Sequence, residues 1–163
     1  ADDQMLRNLS LWQMGSLAAG KPVDVGLALA TLVALLWLFM RDANPLNALL
    51  LGEGEARHLG VNVQTLKRRL ILLTAAGVGV AVAVAGMIGF VGLVVPHLVR
   101  LLAGPNHVRL LPLSALLGAA LLLGADMLAR TLLAPAEMPV GIITALLGAP
   151  FFIWLLVKGR RTL

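Results

Sequence analysis

The residues of this sequence that could do chemistry are few. His97 and Arg100 are three positions apart, so on a helix they lie on one face. A lone histidine there could bind a haem iron or relay protons, although we favour a hydrogen-bonded structural residue beside Pro96. His58 and His107 have no carboxylate or cysteine at a ligand spacing, and the chain contains no cysteine, so we expect neither a metal centre nor a disulfide.

A second charged group lies later in the chain. Asp126 and Arg130 are four positions apart, which places them on one helical face. One interpretation is an intrahelical ion pair that lowers the cost of two charges at membrane depth. In the other, Arg130 lies at an external rim and anchors an acidic partner, with Glu137 close by. The sequence leaves both interpretations open.

Three glycines, Gly86, Gly89 and Gly92, superficially resemble a nucleotide-binding loop. They lie among apolar residues, with no preceding strand and no acidic residue for a ribose, so we predict close helix packing or an extended segment between two helices. The sequence GxxxxGK[ST] is absent. This chain therefore does not bind ATP through a P-loop, and any ATP-driven work must come from another chain.

The elements that must position these residues follow from composition. The chain has 163 residues, of which 60% are hydrophobic and 13% charged, whereas soluble chains are about 45–50% apolar and about 25% charged. Its net charge is +5, but the basic residues flank apolar runs, which indicates lipid headgroups and membrane topology and not nucleic acid. We therefore predict an all-α, polytopic transmembrane helical bundle.

Apolar runs divide the chain into spans and a polar segment. An N-terminal segment, 1–22, precedes the first span, and residues 41–69 form the only long polar segment. Within it we expect a short amphipathic helix over 46–58, ended by Gly60, and a second short helix from about Val63. The predicted spans are 23–40, 70–86, 90–103, 110–133 and 140–157.

The third span has about 14 residues, which is shorter than the usual ~17–25, so we expect protein neighbours around it. Charge counting supports it, because cytoplasmic flanks carry the excess of Lys and Arg. With this crossing, ten basic residues lie on one side and three on the other; without it, the split is six against seven. The ten are Arg41, Arg57, Lys67, Arg68, Arg69, Arg100, Arg109, Lys158, Arg160 and Arg161.

The polar segment then shares the cytoplasm with the C-terminus. Its sequence LGEGEARHLGVNV places Glu53, Arg57 and Gly60 at helical spacing. Two short helices around a glycine would form a compact knob that fits a partner's groove. An ordinary solvated loop is the alternative, and spacing alone does not decide between them.

The sequence resembles the permease family of bacterial ABC importers for iron chelates, haem and cobalamin. The resemblance extends from WQMGSL at 12–17 to the last apolar run, although Met87 stands where the family often has a proline. Family permeases have about ten helices and work as homodimers, so the chain is similar to their C-terminal half, and we expect it to be a fragment. The matching segments are GEGEARHLGV, GFVGLVVPHLVRLLAGPNHVRLLPLSALLGA, ADMLAR and EMPVGIITALLGAPFFIWLL.

The resemblance implies roles and partners for particular residues. It implies a multi-pass protein of the bacterial inner membrane with a second permease copy, a cytosolic ABC ATPase dimer that binds the ATP, and a periplasmic or lipid-anchored substrate-binding protein. Arg130 matches a rim arginine that forms a salt bridge to a glutamate of the binding protein. The residues that match the ATPase-coupling helices are Gly52, Glu53, Glu55, Ala56, Leu59 and Gly60.

Our leading hypothesis is a permease half that passes an iron chelate, haem or cobalamin inward by alternating access, with no cofactor and no covalent chemistry on this chain. Iron compounds are favoured, with haem as one candidate. The alternative is an ion-coupled secondary transporter that uses Asp126, Arg130 and His97 as a charge relay. An intramembrane hydrolase has little support, because no nucleophile and base converge. Structural or pathway roles are expected for Gly86, Gly89, Gly92, Pro96, His97 and Arg100.

Overall fold

The structure is a computed structural model that describes residues 2–18, 20–132, 134–136 and 138–160. These residues form eight α-helices and no strand, which confirms the predicted all-α class. The helices are α1 (Asp2–Met14), α2 (Pro22–Arg41), α3 (Ala43–Leu49), α4 (Glu53–His58), α5 (Val63–Ala85), α6 (Val91–Ala103), α7 (His107–Leu132) and α8 (Val140–Arg160).

Four of these helices are long and apolar enough to cross a membrane: α2, α5, α7 and α8. Helix α6 is apolar but has only 13 residues. It coincides with the short third span expected from charge counting, and its crossing of a membrane stays a prediction.

Local capping explains where two of the long helices begin. Pro22 occupies the first position of α2, where its missing N–H costs nothing. The backbone N–H of Lys21 donates to Asp24 Oδ2 at 3.0 Å, so the one acid in this apolar run completes a helix start. At the start of α5, Asn62 Oδ1 accepts from the Thr65 N–H at 3.2 Å.

One end of the bundle, which we call the α3–α4 end, collects the end of α2 and the starts of α5 and α7. Asp42, directly after α2, binds Arg69 on α5. Asn47 on α3 donates to Asn106, directly before α7, at 2.8 Å. The two short helices α3 and α4 lie at this end because they connect α2 to α5.

The opposite end, which we call the α1 end, collects the ends of α1 and α5 and the start of α8. The Ser16 N–H donates to the Ala85 carbonyl at 2.8 Å, and the Met87 N–H donates to the Trp12 carbonyl at 3.3 Å. Gly141 lies so close to Met14 that a Cβ on residue 141 would overlap the Met14 carbonyl oxygen. Helix α5 therefore runs from the α3–α4 end to the α1 end, and α8 starts at the α1 end.

Helix α6 runs back toward the α3–α4 end and packs against α7 and α8. Val95 and Val99 of α6 form a buried cluster with Leu110 of α7. A second buried cluster joins α7 and α8 at the α1 end through Ala129 and Val140. The 13 residues of α6 cover only about 20 Å along the bundle. The non-helical segment 86–89 lies between the end of α5, at the α1 end, and the start of α6.

A left-handed residue joins that segment to α6. Phe90, the residue before α6, has φ 67°, which is rare for a residue other than glycine. Its side chain lies directly over Gly148 of α8, where an added Cβ would overlap the Phe90 Cβ. Gly148 thus accommodates Phe90, and this contact fixes α8 against the start of α6.

Two expectations for the polar segment are wrong. Residues 46–58 do not form one helix, because Gly52, with φ 102°, separates α3 from α4. No separate short helix begins at Val63, because α5 continues from Val63 to Ala85 without a break. The basic residues 67–69 therefore belong to the early turns of a long apolar helix, a continuity that hydropathy alone does not predict.

Candidate functional site

Residues 52–60, which we call the knob, project at the α3–α4 end. Ala56 is completely buried, with 0% exposure, and α4 contacts α5, on which Val63 and Leu66 are also buried. The buried Ala56 side chain thus packs the knob against the bundle. The other predicted coupling residues, Gly52, Glu53, Glu55, Leu59 and Gly60, are all exposed.

Two glycines shape the knob. Gly52 (φ 102°) precedes α4 and Gly60 (φ 85°) follows it, and both need the left-handed half of the backbone map that glycine tolerates. The Gly60 N–H donates to the Arg57 carbonyl and the Val61 N–H to the Ala56 carbonyl, each at 3.0 Å. These bonds satisfy carbonyls at the end of a six-residue helix, so the knob keeps a defined shape.

The two glutamates of the knob have different surroundings. Glu53 forms an ion pair with Lys67 on α5. The hydrogen bond from Lys67 and then its positive charge hold the pKa of Glu53 below its ordinary value. The Glu55 carboxylate is exposed and forms no ion pair with any residue in the described ranges. Glu53 therefore also holds the knob on α5, whereas Glu55 is free to meet a partner.

Exposed leucines accompany these charges. Leu50 and Leu51, between α3 and α4, and Leu59, after α4, are all exposed, Leu59 at 64%. The α3–α4 end therefore presents apolar side chains and the exposed Glu55 carboxylate. Exposed apolar side chains beside polar groups are a feature of protein interaction surfaces.

A buried ion pair supports the base of this unit. Asp42, 2% exposed, receives two hydrogen bonds from Arg69, while the Arg69 side chain is nearly half-exposed. Sequence reasoning missed this pair. Lys67, Arg68 and Arg69 are adjacent cations, and the sequence gives no reason to prefer one of them as the partner of Asp42. No helical spacing relates Arg69 to a carboxylate 27 residues earlier.

Asn47 makes a second unpredicted connection, from α3 to the start of α7. Its Oδ1 accepts from the His107 N–H at 2.7 Å, and its Nδ2 donates to Asn106 Oδ1 at 2.8 Å. The sequence signals only the start of α7, because Asn106 is a residue type that commonly caps a helix and it precedes an apolar run. Nothing in the chain's pattern pointed to Asn47 as its partner.

Arg130 lies near the other end of the bundle. Its Nε donates to Asp126 Oδ2 at 2.9 Å, which is the intrahelical pair that the spacing allowed. The Arg130 side chain remains 54% exposed, so the pair leaves it accessible. Glu137, expected nearby, lies outside the described residues.

His97 is half-buried on α6, and its ring packs edge-on against Phe151 of α8 with a centroid distance of 5.9 Å. The structure does not bring it together with Asp126 and Arg130. Val95 of α6 faces Gly118 of α7, so His97 lies level with a point on α7 that is about ten residues before Asp126. Ten helical residues correspond to roughly 15 Å along the bundle. The charge relay of the alternative hypothesis is therefore not assembled.

The remaining sequence-selected residues differ in their surroundings. Gly86 (φ 74°) ends α5 where a Cβ would overlap the Trp12 carbonyl, whereas Gly89 and Gly92 border open space. Pro96 lies within α6 beside His97, and Arg100 is exposed near the end of that helix. Within the described ranges, no three His, Asp or Glu side chains are grouped as metal ligands.

Comparison with known proteins adds to this geometry. The model of the FecCD transport family matches residues 1–158. Similar proteins include the hemin transport system permease protein HmuU of Yersinia pestis (54% identity, 99% of this chain and 48% of the relative). The vitamin B12 import system permease protein BtuC of Vibrio cholerae is 48% identical over 98% of this chain and 48% of its own length.

A solved structure, described as an inward-facing conformation of a metal-chelate type ABC transporter, superimposes with a TM-score of 0.86 at 39% identity. The superposition covers 94% of this chain and 49% of that one. The chain thus spans about half the length of the curated relatives it matches.

Proposed function

The chain belongs to the FecCD transport family, and from this premise we propose that it is the ATPase-coupling half of an importer permease. In this proposal the complete permease moves an iron chelate, haem or cobalamin into the cytoplasm by alternating access. A second permease copy and a separate cytosolic ATPase dimer complete the membrane complex. The chain itself carries no covalent chemistry.

The observation that carries the proposal is the exposed knob on a rigid base. Leu59 and Glu55 are exposed while Ala56 is fully buried, so the knob presents a fixed apolar and acidic surface to a soluble partner. The partner in this proposal is the ATPase, whose closure would push on residues 52–60. The α3–α4 end is then cytoplasmic and the α1 end faces the periplasm, in the inner membrane of a bacterium.

The opposite end is assigned to the substrate-binding protein. The exposed Arg130 guanidinium can bind a second carboxylate besides that of Asp126. It has five N–H donors, and Asp126 is bound through Nε. A glutamate of the binding protein is the partner that this geometry supports. Long-range attraction to such a rim charge speeds association and weakens with salt.

For the substrate, we place an iron-containing chelate ahead of cobalamin and take haem as the first compound to test. The support is that the relative named for hemin transport is 54% identical and the one named for vitamin B12 import 48% identical. Copurification of the cognate binding protein with its ligand distinguishes these substrates. Recovery of cobalamin and no haem would overturn the preference.

The central test uses the full-length permease that contains these residues, its ATPase and its binding protein in proteoliposomes. We expect Leu59→Ser combined with Glu55→Lys to abolish copurification of the ATPase and ATP-driven uptake. Leu102→Ser is the matched control, because Leu102 is a highly exposed leucine at the same end of the bundle but outside the knob. Unchanged ATPase copurification in the knob variant would reject the proposed function.

A further inference from the structure

We propose that Asn47 is a positioning residue that connects α3, the helix packed against α4 of the knob, to the start of α7, so that displacement of the knob moves α7. This inference rests on the proposed function, because it concerns how a push from the ATPase spreads through the bundle. It assigns a role in coupling to a residue outside residues 52–60.

Both ends of the Asn47 amide bind residues at the start of α7. Its Oδ1 accepts the His107 N–H at 2.7 Å and lies 2.9 Å from His107 Nδ1, which donates in the Nδ1–H tautomer. Its Nδ2 donates to Asn106 Oδ1, which also accepts the Val108 N–H at 3.0 Å. One side chain on α3 therefore binds both Asn106, directly before α7, and His107, the first residue of α7.

This arrangement makes a helix start depend on another element. The first N–H groups of a helix have no partner within the helix, and a cap normally comes from the residue just before it. Here Asn106 caps Val108 in that usual way, but the His107 N–H is satisfied by Asn47, 60 residues earlier in the chain. A shift of α3 that broke this bond would leave the N–H and the ring of His107 without these partners.

The other polar contacts of this region lead elsewhere. Asp42 and Glu53 both bind α5, through Arg69 and Lys67. The α3–α4 end thus has ionic connections to α5 and a separate, uncharged connection through Asn47 to α7. Helix α7 packs closely on α6, where Val99 and Leu110 are buried together, so movement of the α7 start carries α6 with it.

The test compares Asn47→Ala with Asn44→Ala in the reconstituted full-length importer. Asn44 is the same residue type on the same helix, but it is exposed and its side chain has no hydrogen bond to a described residue. We expect Asn47→Ala to retain the ATPase on copurification and to hydrolyse ATP, while substrate transported per ATP falls about fivefold. Asn44→Ala should match the unmodified importer.

Two conservative variants separate positioning from a general structural role. Asn47→Asp keeps both acceptor contacts to His107 and loses the donor to Asn106, so we expect an intermediate transport ratio. Asn106→Asp keeps the acceptor for Asn47 and for Val108 and should be close to the unmodified protein. If Asn47→Ala does not fold, the graded order of these two variants carries the test, and equal ratios in both would overturn the inference.

A transport ratio in Asn47→Ala equal to that in Asn44→Ala would overturn the proposal, and so would loss of ATPase copurification in both Asn47 variants. The knob variant, Leu59→Ser with Glu55→Lys, keeps the two proposals distinguishable. If Leu59→Ser with Glu55→Lys abolishes ATPase copurification but Asn47→Ala has no effect, only the inference about Asn47 fails. If the knob variant has no effect, the proposed function fails first.

Discussion

Arg69 on α5 binds Asp42, at the end of α2, through two hydrogen bonds, from Nε to Oδ2 at 2.8 Å and from Nη2 to Oδ1 at 2.5 Å. The two partners are unequally placed, because Asp42 is buried whereas the Arg69 side chain is nearly half-exposed. Removing the arginine leaves a buried carboxylate without its partner. Removing the aspartate leaves an arginine that water can reach.

We therefore predict that Arg69→Ala destabilises the protein by about 3 kcal/mol, and that Asp42→Ala costs only about 1 kcal/mol. Thermal unfolding of the full-length permease in detergent measures both. The neighbouring Arg68→Ala, which removes an exposed arginine, is the control. A larger loss from Asp42→Ala than from Arg69→Ala would contradict this account of the pair.

The ion pair between Glu53 and Lys67 predicts a pH dependence. The Lys67 hydrogen bond and charge lower the pKa of Glu53 below 4.5 in the folded protein. The ion pair therefore contributes fully to holding α4 on α5 at pH values above the ordinary pKa of a glutamate. This contribution is lost as the pH falls through the lowered pKa of Glu53. A carbon-13 NMR titration of Glu53 should show the pKa returning toward 4.5 in Lys67→Met.

Arg68→Met is the matched control for that titration, since Arg68 neighbours Lys67 in the chain but is not paired with Glu53. It should leave the Glu53 pKa close to that of the unmodified protein. The same midpoint in Lys67→Met and in the unmodified protein would show that the ion pair does not form in solution.

Close backbone contact at the α1 end predicts a steric effect. An added Cβ at Gly141 would overlap the Met14 carbonyl oxygen, and neither group can move without shifting a helix end. We expect Gly141→Ala to cost about 1–3 kcal/mol in thermal unfolding. Gly79→Ala, inside α5 with open space around it, should be neutral or slightly stabilising. Equal stability of the two variants would disprove the contact.

Arg130 predicts a salt-dependent interaction at the same end. We expect Arg130→Gln to weaken binding of the substrate-binding protein about tenfold at low ionic strength and much less at high salt. Asp126→Asn should not weaken it, because it releases Arg130 from its intrahelical partner. Surface plasmon resonance at two salt concentrations measures both. Arg109→Gln, an exposed arginine at the opposite end, serves as control, and an equal loss there would point to a nonspecific charge effect.

His97 separates the two transport hypotheses. His97→Phe removes every titratable group at this position but keeps an aromatic ring against Phe151. We expect ATP-driven uptake to stay within about twofold, because a structural ring contact tolerates an aromatic of similar volume. The ion-coupled alternative would be favoured if uptake by the unmodified protein depended on the proton gradient and uptake by His97→Phe did not.

The sequence predicted those features that depend on local composition. Apolar run length located the long helices, and glycine punctuation located one end of the knob, because Gly60 has the left-handed backbone expected of a helix stop. It also indicated the intrahelical pair of Arg130, since that pair is four residues apart and needs no tertiary information.

The features that were missed join residues far apart in the chain. The bond from Asn47 to His107 spans 60 residues, and the pair of Asp42 with Arg69 spans 27. Hydropathy and helical spacing describe single elements, so they cannot select one partner from several equivalent polar side chains in another element. The break at Gly52 was missed for a related reason, because glycine within a polar helix is tolerated in many other sequences.

The Phe90 side chain over Gly148 restricts how the bundle can rearrange. Sliding α8 lengthwise by one helical turn would replace the glycine under the ring with Thr144 or Phe152, and both side chains need the volume that the ring occupies. Rocking of α6 and α8 as one rigid body leaves that volume untouched. Alternation between two states would then move α6 and α8 together, with the non-helical backbone at 86–89 as the nearest hinge.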